Sequence, residues 1–190
     1  MSGYQRRASR EIYRNPWLAF QVHDVIHPSG ATGEHGLVET PAASAAIVAD
    51  DGDLLFARQP RFAVDAVMLE IVKGGADDGE DALACAKREV REELGVVAAQ
   101  WESLGVLYEI PSIVREPVSL FLARGIEHVE AAPEDVETIE LVRIPEAVAF
   151  AAAASGQIND AITVAALLRY GLRTGALRAP PHTDPSTSSG

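Results

Sequence analysis

Three glutamates, Glu89, Glu92 and Glu93, stand at i, i+3 and i+4 in the run "CAKREVREELGV" (residues 85–96). On a helix that spacing places three carboxylates on one face. They repel one another by about 0.2–0.5 kcal/mol per pair. Near a helix C-terminus the negative end of the dipole adds to the repulsion. Two readings account for such a face. One is a solvated surface neutralised by Lys87, Arg88 and Arg91. The other is a divalent cation site, because clustered hard oxygens suit Mg²⁺ or Mn²⁺ and the ion turns repulsion into attraction.

The wider spacing separates these readings. It runs Gly74, five residues, Glu80, seven residues, Arg88-Glu89-Val90, one residue, Glu92-Glu93, one residue, Gly95-Val96. This pattern meets G-x5-E-x7-R-E-U-x-E-E-x-G-U, with U aliphatic, at every defined position. At average residue frequencies a chance match has a probability on the order of 10⁻⁷ in a chain of this size. The chain resembles the Nudix hydrolases on these residues. The resemblance implies a reaction in which water, activated by metal, attacks the diphosphate of a nucleoside diphosphate linked to another group. It also implies that Glu89, Glu92 and Glu93 hold Mg²⁺ (or Mn²⁺), joined by the backbone carbonyl of Lys73. Gly74 and Gly75 are expected to turn the chain tightly between strand and helix. Glu80 is expected in the first helical turn, Arg88 as an orienting fork for a carboxylate, and Gly95 as a left-handed helix end.

Segments outside this box (residues 74–96) resemble the ADP-ribose pyrophosphatase and nucleotide-sugar hydrolase branch, from about Tyr13 to Leu172. They are "YRNPWLAFQVHDVIHPSG", "LLFARQPRF", "LEIVKGG", "IPSIVREPVSLFLARG", "EDVETIELVRIP" and "GQINDAITVAALL". Three positions depart from that branch: Ile110-Pro111-Ser112 replaces S-P-G, Leu69 replaces an aromatic, and Ile162 replaces a lysine. The implied reaction is hydrolysis of ADP-ribose or a related NDP-sugar to a nucleoside monophosphate and a sugar phosphate. GDP-mannose, UDP-glucose, NADH or dinucleoside polyphosphates as substrate, or a non-catalytic ligand sensor, stand as alternatives. Trp17 is a candidate to stack on the base, against a role in the core or an interface. Arg61 is a candidate for the diphosphate or terminal ribose, against a surface ion pair. Glu70, a charge inside an apolar strand, needs a partner or a function; the resemblance gives it a place near the substrate or holding Arg61. Glu116 matches a supporting glutamate. Glu137, in the acidic loop, is a candidate base, with Glu92 and Glu93 as box residues sharing the chemistry. The five histidines have no ligand-like spacing, and Cys85 reads as a packing residue rather than a nucleophile.

Around these residues the sequence must build a scaffold. A chain of 190 residues fits one main domain with a small appendage. The single cysteine fits a reducing cytoplasm. The N-terminus has arginines but no apolar run of a secretory leader, and no stretch is apolar enough to span a membrane. The net charge of −12 argues against nucleic acid as a partner. Residues 1–10 read as frayed, 17–25 as a strand, and 27–36 as a Gly-rich turn. Strands are expected at 42–50, 53–59, 66–72, 103–110, 117–126 and 138–144, and helices at 81–94, 145–156 and 159–173. Leu83, Ala86, Val90 and Leu94 form the core stripe of the first helix. The fold class is α/β: by the resemblance a Nudix α/β/α sandwich with a mixed sheet and a small N-terminal β region. Residues 1–40 are assigned to that region, expected by the resemblance to form a homodimer, 41–178 to the hydrolase domain, and 179–190 to a disordered tail.

Overall fold

The computed structural model describes residues 3–130 and 138–178. Its central sheet is built on two apolar strands, β4 (Ala43–Asp50) and β10 (Pro117–His128), which run parallel. The rest is antiparallel. β5 (Asp53–Arg61) and β11 (Glu140–Pro145) extend one side, and β8 (Val96–Tyr108) the other. β6 (Ala66–Glu70) pairs with β5, and β7 (Val72–Gly75) pairs with β4.

Strand alternation explains the layers. Ala45 and Ile47, with Leu54 and Phe56 beside them, point to one face; Ala46 and Val48, with Leu55 and Ala57, point to the other. The first face packs against α2 (Glu146–Ser155) and α3 (Ala161–Thr174), through Ala149, Ile162 and Leu167. The second packs against α1 (Ala82–Leu94), through Val90 and Leu94. Each large apolar side chain so buried contributes about 1.5–3 kcal/mol. The result is the expected α/β/α sandwich with a mixed sheet. In α1, Cys85 is buried where Leu83 was expected, and Leu83 is only half-buried.

A second sheet has the order β1-β2-β3-β9. β1 (Gln5–Arg14) corrects the expectation of a frayed N-terminus. Its ten residues are all exposed, so no side-chain alternation marks it; it is held by antiparallel pairing to β2 (Ala19–Ile26). β3 (Thr32–Glu39) corrects the Gly-rich turn at 27–36. The turn is confined to His27–Ala31, closed by Ala31 and His27 across 2.8 Å. Gly33 and Gly36 lie inside the strand, Gly36 under the ring of Phe20. β9 (Val114–Arg115) closes this sheet against β3. The expected tail at 179–190 lies outside the described residues.

Candidate active site

Helix α1 begins with a cap that the sequence reading passed over. Asp81 accepts the N–H groups of Leu83 and Ala84, both at 2.9 Å. Glu80 therefore precedes the helix rather than lying in its first turn. It accepts the Asp77 N–H at 3.0 Å and both arms of Arg88, at 3.0 and 2.9 Å. Arg88 holds the Glu80 carboxyl below its usual value. Gly95 ends the helix in the left-handed region at φ 61°.

Arg88 is the hub of the box. Besides Glu80 it donates to Glu89 at 2.7 Å, to Glu92 at 3.1 Å and to the Gly75 carbonyl at 2.8 Å. Its guanidinium is accordingly held well above its usual value, Glu80 contributing most. One fork thus ties the strand, the pre-helix turn and two of the three clustered glutamates.

The first box glycine has a different role from the expected turn. Gly74 and Gly75 lie in β7, and neither has a positive φ; the left-handed box glycine before the helix is Gly79. What requires glycine at Gly74 is close approach. A Cβ there would overlap the carboxylate of Glu89. Cys85 donates its thiol to the Gly74 carbonyl at 3.5 Å, and burial pushes the thiol pKa up, which suits a packing residue.

Glu93 is buried at 7% exposure on the side of α1 facing Arg61, whose charge it helps to stabilise. Arg61 grips Glu70 with both nitrogens, at 3.1 and 2.6 Å, and Glu70 is itself buried. That pair is the main reason the Arg61 guanidinium is raised, with Glu93 and Asp160 adding their fields. Lys73 lies alongside. Burial works to lower its ammonium pKa, but the 2.7 Å bond to Glu109 and the fields of Asp160 and Glu116 outweigh it, so the net shift is upward. Glu93, Glu70, Glu109, Glu116 and Asp160 therefore surround two cations at this end of the sheet.

Lys73, Glu109 and Asp160 were missed as side chains by the sequence reading. Only the "IND" triplet before helix α3 hinted at Asp160, as its N-cap. Asp160 accepts the Thr163 N–H and hydroxyl, both at 2.7 Å, and the Thr163 oxygen accepts the Ile71 N–H at 3.0 Å. Ile71 is the joint between β6, which carries Glu70, and β7, which carries Lys73 and Gly74.

Trp17 lies apart from these cations. It is 73% exposed in the turn between β1 and β2, beside a cleft of about 200 Å³ shared with Arg14, Glu39 and Pro41. Pro41 in turn lies against Gly75 of the box strand. Glu137 lies outside the described residues.

The donor set suits a hard cation: three carboxylates and strand carbonyls, with no soft ligand among the candidates. Among the described residues no three acidic, His or Cys side chains converge on one point. Glu89 and Glu92 are instead turned to Arg88. The carbonyls that accept bonds from α1 side chains are those of Gly74 and Gly75, rather than Lys73. The residues fit Mg²⁺ by chemistry, and Arg88 engages one oxygen of Glu89 and one of Glu92.

A nucleotide-anhydride hydrolase site is what this combination of sandwich, capped helix and carboxylate cluster defines. The NUDIX domain model matches residues 38–163, and the chain belongs to that family. A protein of Bacillus subtilis named ADP-ribose pyrophosphatase is 28% identical over 84% of this chain and 88% of its own length. A CMP-5′-(N-acetyl-N-hydroxy-3-aminopropyl)phosphonate hydrolase of Streptomyces rubellomurinus is 30% identical over 92% of this chain and 85% of its own. A solved structure described as an ADP compounds hydrolase superposes with TM-score 0.81, covering 91% of this chain and 95% of that one at 20% identity. That likeness bears on the fold.

Proposed function

We infer that the protein is a Mg²⁺-dependent pyrophosphohydrolase that cleaves the diphosphate of ADP-ribose or a related NDP-sugar to a nucleoside monophosphate and a sugar phosphate. The observation that carries this is the complete box on a capped helix, with Arg88 holding Glu89 and Glu92 and with Glu93 facing Arg61. Glu89, Glu92, Glu93 and the Lys73 carbonyl are the residues to hold Mg²⁺, with Mn²⁺ as a substitute. When bound, the ion neutralises the diphosphate and lowers the pKa of water.

The chain's own residues do the rest. Arg61, held from behind by Glu70, presents its remaining donors to a phosphate or ribose oxygen. Lys73 adds a second cation, fixed by Glu109. Glu116 supports the same wall. Trp17 offers a flat face to the base from the N-terminal sheet. The proton from water passes to a carboxylate, Glu137 from the acidic loop or Glu92 from the box. Glu93, buried beside Arg61, holds its charge where phosphate charge must be balanced.

The N-terminal sheet is the inferred seat of a homodimer. Its edge strand β1 is wholly exposed and carries Ile12 and Tyr13 outward, with exposed Tyr4 just before it. Sedimentation at micromolar concentration checks this. Among the described residues no helix is long and apolar enough to cross a membrane. The single buried cysteine suits a reducing cytoplasm.

The test is release of phosphomonoester with Mg²⁺ from ADP-ribose, a panel of NDP-sugars and a cytidine nucleotide, the last because of the CMP-phosphonate relative. ADP-ribose or an NDP-sugar should be cleaved, and Glu93→Gln should lose at least 100-fold in kcat. Full turnover by Glu93→Gln would remove the box from the mechanism. Activity on none of the panel would leave a sensor.

A further inference from the structure

One cavity lies away from the box. It holds about 740 Å³ and lies against the N-terminal sheet, lined by Tyr4, Arg6, His23, Tyr108, Ser112 and Arg115 among others. His23 closes it from β2 and is 3% exposed. Its Nδ1 meets the Ser9 hydroxyl at 2.7 Å, which leaves Nε2 buried and without a hydrogen-bond partner. A buried polar atom with nothing to bond is a standing cost of the fold, and such atoms mark places where a ligand completes the network. Burial, aided by Arg6, lowers the imidazole pKa and so favours the neutral ring. Nε2 is therefore a single neutral donor or acceptor, set by the proton at Ser9.

The walls have a consistent chemistry. Tyr4 and Tyr108 stand half-exposed at the cavity and offer ring faces. Tyr4 is tilted against His35 at 6.1 Å. Arg6 makes no ion pair among the described residues, and Arg115 shares its charge with Glu39 at 2.7 Å. Charge placement agrees: the first 40 residues balance four arginines against four acids, so the whole net charge of −12 lies in the rest of the chain. An anion is repelled least here.

We propose that this cavity is a second ligand site, separate from the box, that takes a small planar ring carrying an anionic group, of the nucleoside monophosphate class. The ring lies against Tyr4 and Tyr108, one of its polar atoms meets His23 Nε2, and the anion meets Arg6. The site has a route to the chemistry. Tyr108 and Ser112 flank Glu109, which holds Lys73, and Arg115 precedes Glu116. Occupancy therefore bears on the segment that positions the Lys73 cation. This consequence, and the choice of a monophosphate, rest on the hydrolase reading above; the existence of the site does not.

The experiment is calorimetric titration of the full chain with AMP, adenosine, ribose 5-phosphate and inorganic phosphate, in excess EDTA so that the box cannot hold phosphate through a metal. AMP should bind without metal, and more tightly than any of its parts. Arg6→Gln, on an exposed strand, should weaken AMP at least tenfold, His23→Leu likewise, and Leu168→Ala, exposed and outside both clefts, should leave it unchanged. Circular dichroism screens each variant; if His23→Leu does not fold, Arg6→Gln and Tyr4→Ala decide. Absence of metal-free binding overturns the site, as does binding that survives Arg6→Gln and Tyr4→Ala. Loss of binding in Trp17→Ala alone also overturns it, by placing AMP in the other cleft. ADP-ribose hydrolysis measured separately with Mg²⁺ tells failure of this site from failure of the hydrolase reading.

Discussion

Replacing Gly74 by alanine adds one methyl group to a strand that tolerates alanine by backbone geometry, since Gly74 has no positive φ. The methyl nevertheless meets the Glu89 carboxylate head-on. To restore an ordinary contact of about 3.5 Å the carboxylate must withdraw by about 1.5 Å. That movement breaks its 2.7 Å bond to Arg88 Nη1, the same nitrogen that holds Glu92. Loss of a charge-assisted bond costs about 1.5–3 kcal/mol, and the gain in strand propensity over glycine returns about 0.5–1. Stability should fall by about 1–2 kcal/mol, a Tm loss of about 2–8 °C for a domain of this size. Activity should fall much further, because a displacement of about 1 Å in a reacting array can cost about 100-fold. The assay pairs thermal unfolding with a Mg²⁺ titration of turnover: Gly74→Ala should remain folded, lose about 100-fold in kcat/KM, and need more Mg²⁺. Wild-type activity at wild-type Mg²⁺ demand would refute the close-approach argument. Collapse of the fold would show that the glycine serves packing rather than the carboxylate.

Arg61→Lys keeps the charge beside buried Glu70 but loses the fork, and should raise KM several-fold with little change in Tm; Arg61→Ala should cost about 3–5 kcal/mol in urea unfolding because it leaves Glu70 buried and unpaired. Thr163→Val keeps the shape but removes the oxygen that accepts the Ile71 N–H, so kcat should fall about tenfold, while Thr163→Ser should restore it; equal kcat in both variants would free the β6–β7 joint from this helix cap. Tyr170 donates to Glu146 at 2.8 Å, and burial with that carboxylate pushes its phenol up to about 12. A raised folded value means that the stabilisation is fully present below the unfolded pKa of about 10 and is lost as pH rises toward 12. Tyr170→Phe should therefore flatten the alkaline decline in Tm.

The order of elements was legible because its signals are local. The continuous apolar run of "AASAAIVAD", the 3.6-residue stripe of α1 and the glycine after Leu94 each declare themselves within a few residues. The box is legible for the same reason: helix periodicity carries Glu89, Glu92 and Glu93 to one face wherever the helix lies. β1 escaped because a strand with no buried face has no alternation to read. β3 escaped because its glycines look like a turn until Phe20 is packed over one of them.

What tertiary structure alone decided is who faces whom. Gly74 and Glu89 are 15 positions apart, and the glycine is required only because β7 presses against α1. Asp160 reaches the cations from the far end of the chain through the cap of α3, and Glu109 reaches Lys73 across the sheet. His23, one of five histidines without spacing or motif, is singled out only by a cavity that three strands and a distant segment enclose. Spacing along one helix is set by the backbone's own repeat, so sequence alone could place the carboxylates. Contacts between elements are set by which faces bury together, and no local pattern carries that information.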